Sequence, residues 1–136
     1  MQTNEQLLDL LENYLAQREL PTEPERLYDP IRYSLAGGGK RLRPMLLLLS
    51  CGLFADDVDV ALPAAAAVEI FHNFTLLHDD IMDNAAVRRG KPSVYARWGG
   101  NVAILSGDAM LISAYRLLAQ APPALLPRIL EVFNTM

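Results

Sequence analysis

The longest stretch that reads as a single helix runs from about Ala61 to Asp83, and it fixes the kind of fold open to this chain. A helix of that length reaches across a whole small domain, so other elements must pack along it. Its first half, Ala64 to Val68, is built of small residues that permit close helix contact. Nowhere does the sequence alternate with the period of two that a half-buried strand needs. The remaining segments repeat at helical spacing. Thr3 with Gln6 reads as an N-terminal capping box, and Leu7, Leu8, Leu11, Tyr14 and Leu15 form a stripe ending near Glu19. Pro21 and Pro24 break that helix. A second is expected from about Glu25 to Ala36, with Pro30 either shifting its start or kinking it.

Gly37-Gly38-Gly39 reads as a hinge before a third helix, about Arg41 to Phe54, with Pro44 tolerated in its first turn. That helix is apolar nearly all round, which predicts a central position. Asp56, Asp57 and Asp59 read as a loop and helix cap. Residues 84 to 92 are expected to form a polar loop and Ser93 to Trp98 a short helix. A fifth helix follows Gly99-Gly100 to about Gln120. A sixth begins at Pro122-Pro123 and is under way when the sequence stops, which fits a partial domain. The fold class is all-α.

At 136 residues, 51% of them hydrophobic, the chain is one domain's worth with material for a core. The net charge of −4 argues against nucleic-acid binding. Cys51 is the only cysteine and sits in an apolar run, so it reads as a small core residue with no disulfide. That run is too short to span a bilayer, and the polar, acidic N-terminus is unlike a signal peptide. A soluble, cytoplasmic protein without a membrane span is expected.

Against this acidic background, Lys40, Arg41, Arg43, Arg88, Arg89 and Lys91 gather in two short tracts. The second follows a run of carboxylates, Asp79, Asp80 and Asp83. On a helix Asp79 and Asp83 share a face, and Asp80 lies about 100° round. Hard oxygen ligands without cysteine suit Mg²⁺ or Mn²⁺, with water and substrate phosphate completing the shell. Arginine supplies planar donors for phosphate oxygens. His72, two turns before Asp79, falls on the same face. Gly38-Gly39-Lys40-Arg41-Leu42-Arg43-Pro44 has the parts of a phosphate cradle: flexible backbone, cations, then a helix N-terminus. It lacks the Gly-Lys-Ser/Thr ending of a Walker A loop. Together these features point to a diphosphate site.

Gly38 to Pro44, the DDxxD motif at Asp79, Asp80 and Asp83, Arg88-Arg89-Gly90 and Gly107-Asp108-Ala109, in that order, resemble the trans-isoprenyl diphosphate synthases, or polyprenyl synthetases. The resemblance implies an all-α bundle around a deep apolar cavity, usually a homodimer, that condenses isopentenyl diphosphate with an allylic diphosphate using Mg²⁺. It assigns Asp79, Asp80 and Asp83 to the metal that holds allylic diphosphate, and Arg88 to that same diphosphate. Lys40, Arg43, His72 and Arg89 match positions that hold isopentenyl diphosphate. Phe74 and Thr75 match the product-length positions, and the pattern there implies a short product (C15–C20). On an ideal wheel Thr75 lies about 40° from Asp79 and Phe74 about 140°.

The resemblance makes residues 1–136 the N-terminal part of an isoprenoid-synthase-type bundle, a partial polyprenyl synthetase domain. The second aspartate-rich motif is absent, as are the downstream Lys-Thr and Phe-Gln elements. The isolated chain is therefore expected to be inactive and to self-associate. A class I terpene cyclase also uses DDxxD, but has no second diphosphate to occupy two basic tracts. An HD-type phosphohydrolase could use His72, His78, Asp79 and Asp108, leaving both basic tracts without a role. A non-catalytic partner subunit of a prenyl synthase is a further reading.

Overall fold

The structure is a computed structural model that describes residues 2–17 and 20–136. It is 71% helical, with one pair of two-residue strands, so the all-α expectation holds. Among the described residues seven α-helices follow in order: α1 (Asn4–Gln17), α2 (Glu25–Ala36), α3 (Leu42–Gly52), α4 (Leu62–Met82), α5 (Val94–Trp98), α6 (Gly100–Leu118) and α7 (Leu126–Asn134). The expected end of the first helix, near Glu19, lies outside the described residues. The chain divides into two compact units. One comprises Met1–Gln17, Arg41–Glu69 and Ser113–Met136, the other Arg18–Lys40 and Ile70–Ile112.

In the first unit, α1 starts at the capping box read from the sequence. The Thr3 N–H donates to Gln6 Oε1 at 2.8 Å, and the Gln6 N–H donates to Thr3 Oγ1 at 3.2 Å. Leu7 and Leu11 of α1 pack with Leu48, Val58, Leu62 and Ala65 into the core, and Cys51 lies against it. The Asp57 carboxylate accepts the Asp59 N–H at 2.9 Å inside that acidic loop, while Val58, the N-cap of the turn that follows, makes no side-chain cap. A 3₁₀ turn, Asp59–Ala61, leads into α4. Further on, Tyr115 packs edge-on against Phe133 of α7 and donates its O–H to Asn134 Oδ1. Helix α3 departs from expectation. Pro44 and Leu48 are buried, but Leu42 and Leu46 lie exposed, and the helix ends at Gly52, short of the expected Phe54, leaving Leu53 and Phe54 exposed in the turn beyond it, Phe54 at 91%. The helix offers apolar side chains all round, and α1 with the core takes only one face of them.

The second unit is joined by polar ties as much as by packing. Pro30 sits inside α2, which nonetheless begins at Glu25 as the spacing predicts. Tyr33 of α2 donates to the Pro92 carbonyl at 2.7 Å and meets Trp98 of α5 edge-on, and the Arg97 guanidinium stacks over both rings. Ser106 of α6 donates to the Leu27 carbonyl of α2 at 2.8 Å. Residues 84 to 92 are not the plain loop the sequence suggested. Val87–Arg88 pairs antiparallel with Lys91–Pro92 around Arg89 and Gly90, whose φ values of 55° and 77° are those a two-residue hairpin turn requires. Two residues per strand are too few to leave a period-two trace. The short helix expected after it is present, and Ser93 caps it, its Oγ accepting the Ala96 N–H.

Within this unit α4 and α6 approach closely at Gly107. A Cβ built there would lie 2.4 Å from His78 Nε2. The imidazole cannot simply swing aside, because Nε2 is 3.2 Å from the Ile104 carbonyl and the ring packs edge-on against Phe74. Gly107→Ala should therefore destabilise the fold by about 1–3 kcal/mol, although Ala is the better helix former. Adding His78→Ala removes the clash, and thermal unfolding should show the double variant more stable than Gly107→Ala alone.

Candidate diphosphate and metal site

Helix α4 carries polar groups into an otherwise apolar sequence, and each buried one is answered. By length and composition the stretch Asp59–Met82 could cross a membrane. Its Glu69 and Asp80 are instead buried and paired with arginines. Asn73, with no exposure at all, accepts Arg89 Nη1–H at 3.3 Å.

The three aspartates do not form one cluster. Asp79 is exposed, and the Asp83 N–H donates to the Asp79 carbonyl at 2.9 Å, so the helical turn carries past Met82 and keeps both on one side. Asp80, 3% exposed, turns the other way. Its carboxylate accepts two bonds from Arg88, Nη2 to Oδ1 at 2.6 Å and Nε to Oδ2 at 3.2 Å. This is the offset around the helix that the spacing implied, and Arg88 supplies the reason it matters. Among the described residues no three His, Cys, Asp or Glu side chains gather as a metal cage. A pair of exposed carboxylates, with water and phosphate oxygens, still fits what Mg²⁺ takes from a protein. The hydrogen bonds it donates to Asp80 hold the Arg88 guanidinium above its ordinary pKa, burial acting in the opposite sense; Asp79 and Asp83 add to the upward shift.

The hairpin sets Arg89 against the end of the glycine run within the second unit. Arg89 lies across Gly39, where an added Cβ would fall 2.8 Å from its Nη2, and Gly39 has a φ of 110°. Only glycine allows both that conformation and that approach. Lys40 is exposed beside it in sequence, and Asn73, Asp80, Arg88, Arg89 and Lys91 line a small cleft. His72 is half-buried on α4, its carbonyl accepting the Thr75 hydroxyl at 2.6 Å. Phe74 stands between Phe71 and His78, ring centroids 5.4 and 4.8 Å away.

Arg41 and Arg43 part company. Arg43 is exposed in the first turn of α3. Arg41 is buried, its Nη1 donating to Glu69 at 2.8 Å and its Nε to Glu12 at 2.9 Å. Burial pushes its pKa down, but the bonds to Glu12 and Glu69 outweigh this and hold it above the ordinary value. Asn73, Glu69 and Glu12 escaped the sequence reading. For Glu69 a signal existed: it is the one Asp, Glu, Lys or Arg between Asp59 and Asp79. Asn73 left none.

The fold and this site define an isoprenoid-synthase-type helical protein, and comparison makes that specific. The polyprenyl synthetase family profile matches residues 24–136, and the chain belongs to that family. It is 48% identical over 99 residues to a geranylgeranyl diphosphate synthase from Methanosarcina mazei, covering 73% of this chain and 31% of that protein. It is 43% identical over 128 residues to another from Cyanophora paradoxa, covering 88% and 43%. A crystal structure of a geranylgeranyl pyrophosphate synthase, 47% identical, superposes with a TM-score of 0.95 over 99% of this chain and 41% of its own. The chain thus spans less than half the length of each of these three relatives.

The two faces of the aspartate motif should separate in stability. Asp80→Asn strands Arg88 and should cost about 1–3 kcal/mol. Asp79→Asn and Asp83→Asn remove exposed like charges and should leave stability within about 0.5 kcal/mol of the parent or raise it. Urea titration monitored by circular dichroism checks both.

Proposed function

We propose that these residues serve a prenyltransferase that condenses isopentenyl diphosphate head to tail with an allylic diphosphate, giving a short-chain prenyl diphosphate (C15–C20). The observation that carries this reading is the pairing of an exposed carboxylate pair, Asp79 and Asp83, with a hairpin that presents Arg88 and Arg89. Residues 1–136 then form the N-terminal part of a polyprenyl synthetase domain. Asp79 and Asp83 would hold Mg²⁺, with Mn²⁺ an alternative. When bound, that ion supplies positive charge to a departing pyrophosphate. Family resemblance adds Asp80 to the metal set; here its oxygens hold Arg88, so its part is to aim that guanidinium at the allylic diphosphate.

Lys40, His72 and Arg89 are assigned to isopentenyl diphosphate, and Arg43 is assigned to the same substrate by resemblance. Loss of pyrophosphate leaves an allylic cation, which the isopentenyl double bond attacks before a proton departs. Water has to be kept from that cation. Exposed Leu42, Leu46, Phe54, Ile104, Leu105 and Ile112 are apolar faces that further polypeptide would cover, either more of a synthase or a second copy in a homodimer. We place the protein in the cytoplasm, the reducing compartment that suits a chain with Cys51 as its single cysteine. The two basic tracts favour this reading over a terpene cyclase.

In a complete synthase carrying these residues, Asp79→Ala should lower turnover on the order of 10²-fold or more. Near-parental turnover would remove the motif from the mechanism. Lys40→Ala and Arg89→Ala should raise the KM for isopentenyl diphosphate above all, and Arg88→Ala that for the allylic substrate. Phe74→Ala should lengthen the product, read by chromatography of the dephosphorylated prenols. Residues 1–136 alone, given isopentenyl and geranyl diphosphates with Mg²⁺, should form no longer product and should elute as an oligomer.

A further inference from the structure

The proposed function leaves one buried charge cluster unused. Arg41 stands between Lys40 and Arg43 in sequence, yet it is 6% exposed where both neighbours are exposed. Its backbone has a φ of 53°, the left-handed conformation that a side-chain-bearing residue adopts at a cost of about 1–2 kcal/mol. That conformation ends the glycine hinge and begins α3, because the Arg41 carbonyl accepts the Met45 N–H at 3.1 Å. The side chain spans the carboxylates of Glu12 on α1 and Glu69 on α4, both in its own unit. Glu69 is 2% exposed, so neither charge of that pair could stay buried without the other.

We infer that Arg41 is a positioning residue for diphosphate binding: its guanidinium, bolted between Glu12 and Glu69, fixes the first turn of α3 and so the direction in which Arg43 is presented. Arg43 follows two residues later, in the first turn of α3, and is exposed where Arg41 is buried. A planar fork held at two ends resists rotation as a single-point contact does not. The inference rests on the reading of Arg43 as a diphosphate ligand.

Isopentenyl diphosphate titrated into the chain without metal, followed by ³¹P NMR beside thermal unfolding, tests it. Glu12→Gln, on the half-exposed side of the cluster, should keep the fold and weaken affinity about 2- to 3-fold, while the exposed control Asp9→Asn changes nothing. Arg41→Met with Glu69→Leu exchanges the buried charges for apolar volume and should recover stability relative to Arg41→Met alone. Its affinity should nonetheless stay roughly tenfold weaker, equivalent to about 1.4 kcal/mol. Arg41→Lys, which reaches one carboxylate but not both, should fall between. Arg43-dependent binding that Glu12→Gln and the double variant both leave at the parental level overturns the inference alone. Binding that Arg43→Ala leaves unchanged overturns the reading of the site beneath it.

Discussion

A long apolar helix can carry carboxylates only where each charge meets a cation or water, and the architecture around α4 follows from that constraint. Glu69 is met by Arg41 and Asp80 by Arg88, each buried carboxylate held across a short bond. Asp79 and Asp83 are left to solvent. Each arginine also fixes a neighbouring element: Arg41 the start of α3, Arg88 the first strand of the hairpin. Removing either arginine would strand a buried carboxylate at a cost of several kcal/mol, which is why these pairs define geometry beyond any stability they add.

The helices were largely legible because their signals are local. Capping at Thr3, the glycine run before α3 and the placement of α2 all depend on residues within a turn of one another. What the sequence hid depends on distant partners. The α3 periodicity offers apolar residues on every side, and no local rule says which side the core takes. The hairpin is two residues deep, below the length at which alternation is a signal. The start of α7 comes later than Pro122-Pro123 suggested, since a turn closed by the Leu125 N–H on the Pro122 carbonyl precedes it.

For the candidate site the residue types were readable and their division of labour was not. Two basic tracts and an aspartate motif stand out in an acidic chain. Which arginine is buried, however, depends on where Glu12 and Glu69 fall, and which aspartate turns inward depends on the hairpin. Gly39 is instructive: as one of three consecutive glycines it suggested only flexibility, whereas it holds a φ of 110° beneath the Arg89 guanidinium. Its hydrogen side chain serves a close approach rather than motion.

The Arg88–Asp80 pair has a geometry suited to a residue that must be both anchored and available. Asp80 takes the Nε and Nη2 edge of the guanidinium side-on. A guanidinium has five N–H donors, so two bonds on that edge leave the Nη1 side for an incoming anion. The side chain of Arg88 is 38% exposed while that of Asp80 is 4% exposed, which places the anchor inside and the remaining donors outside. An isolated surface arginine would spend rotamer entropy to meet a phosphate; this one has already been ordered by the fold. On the proposed reading, the inward aspartate orders the phosphate-binding group, and the outward pair is kept for the metal. The i, i+1, i+4 spacing of the motif is what lets one helix turn serve both ends.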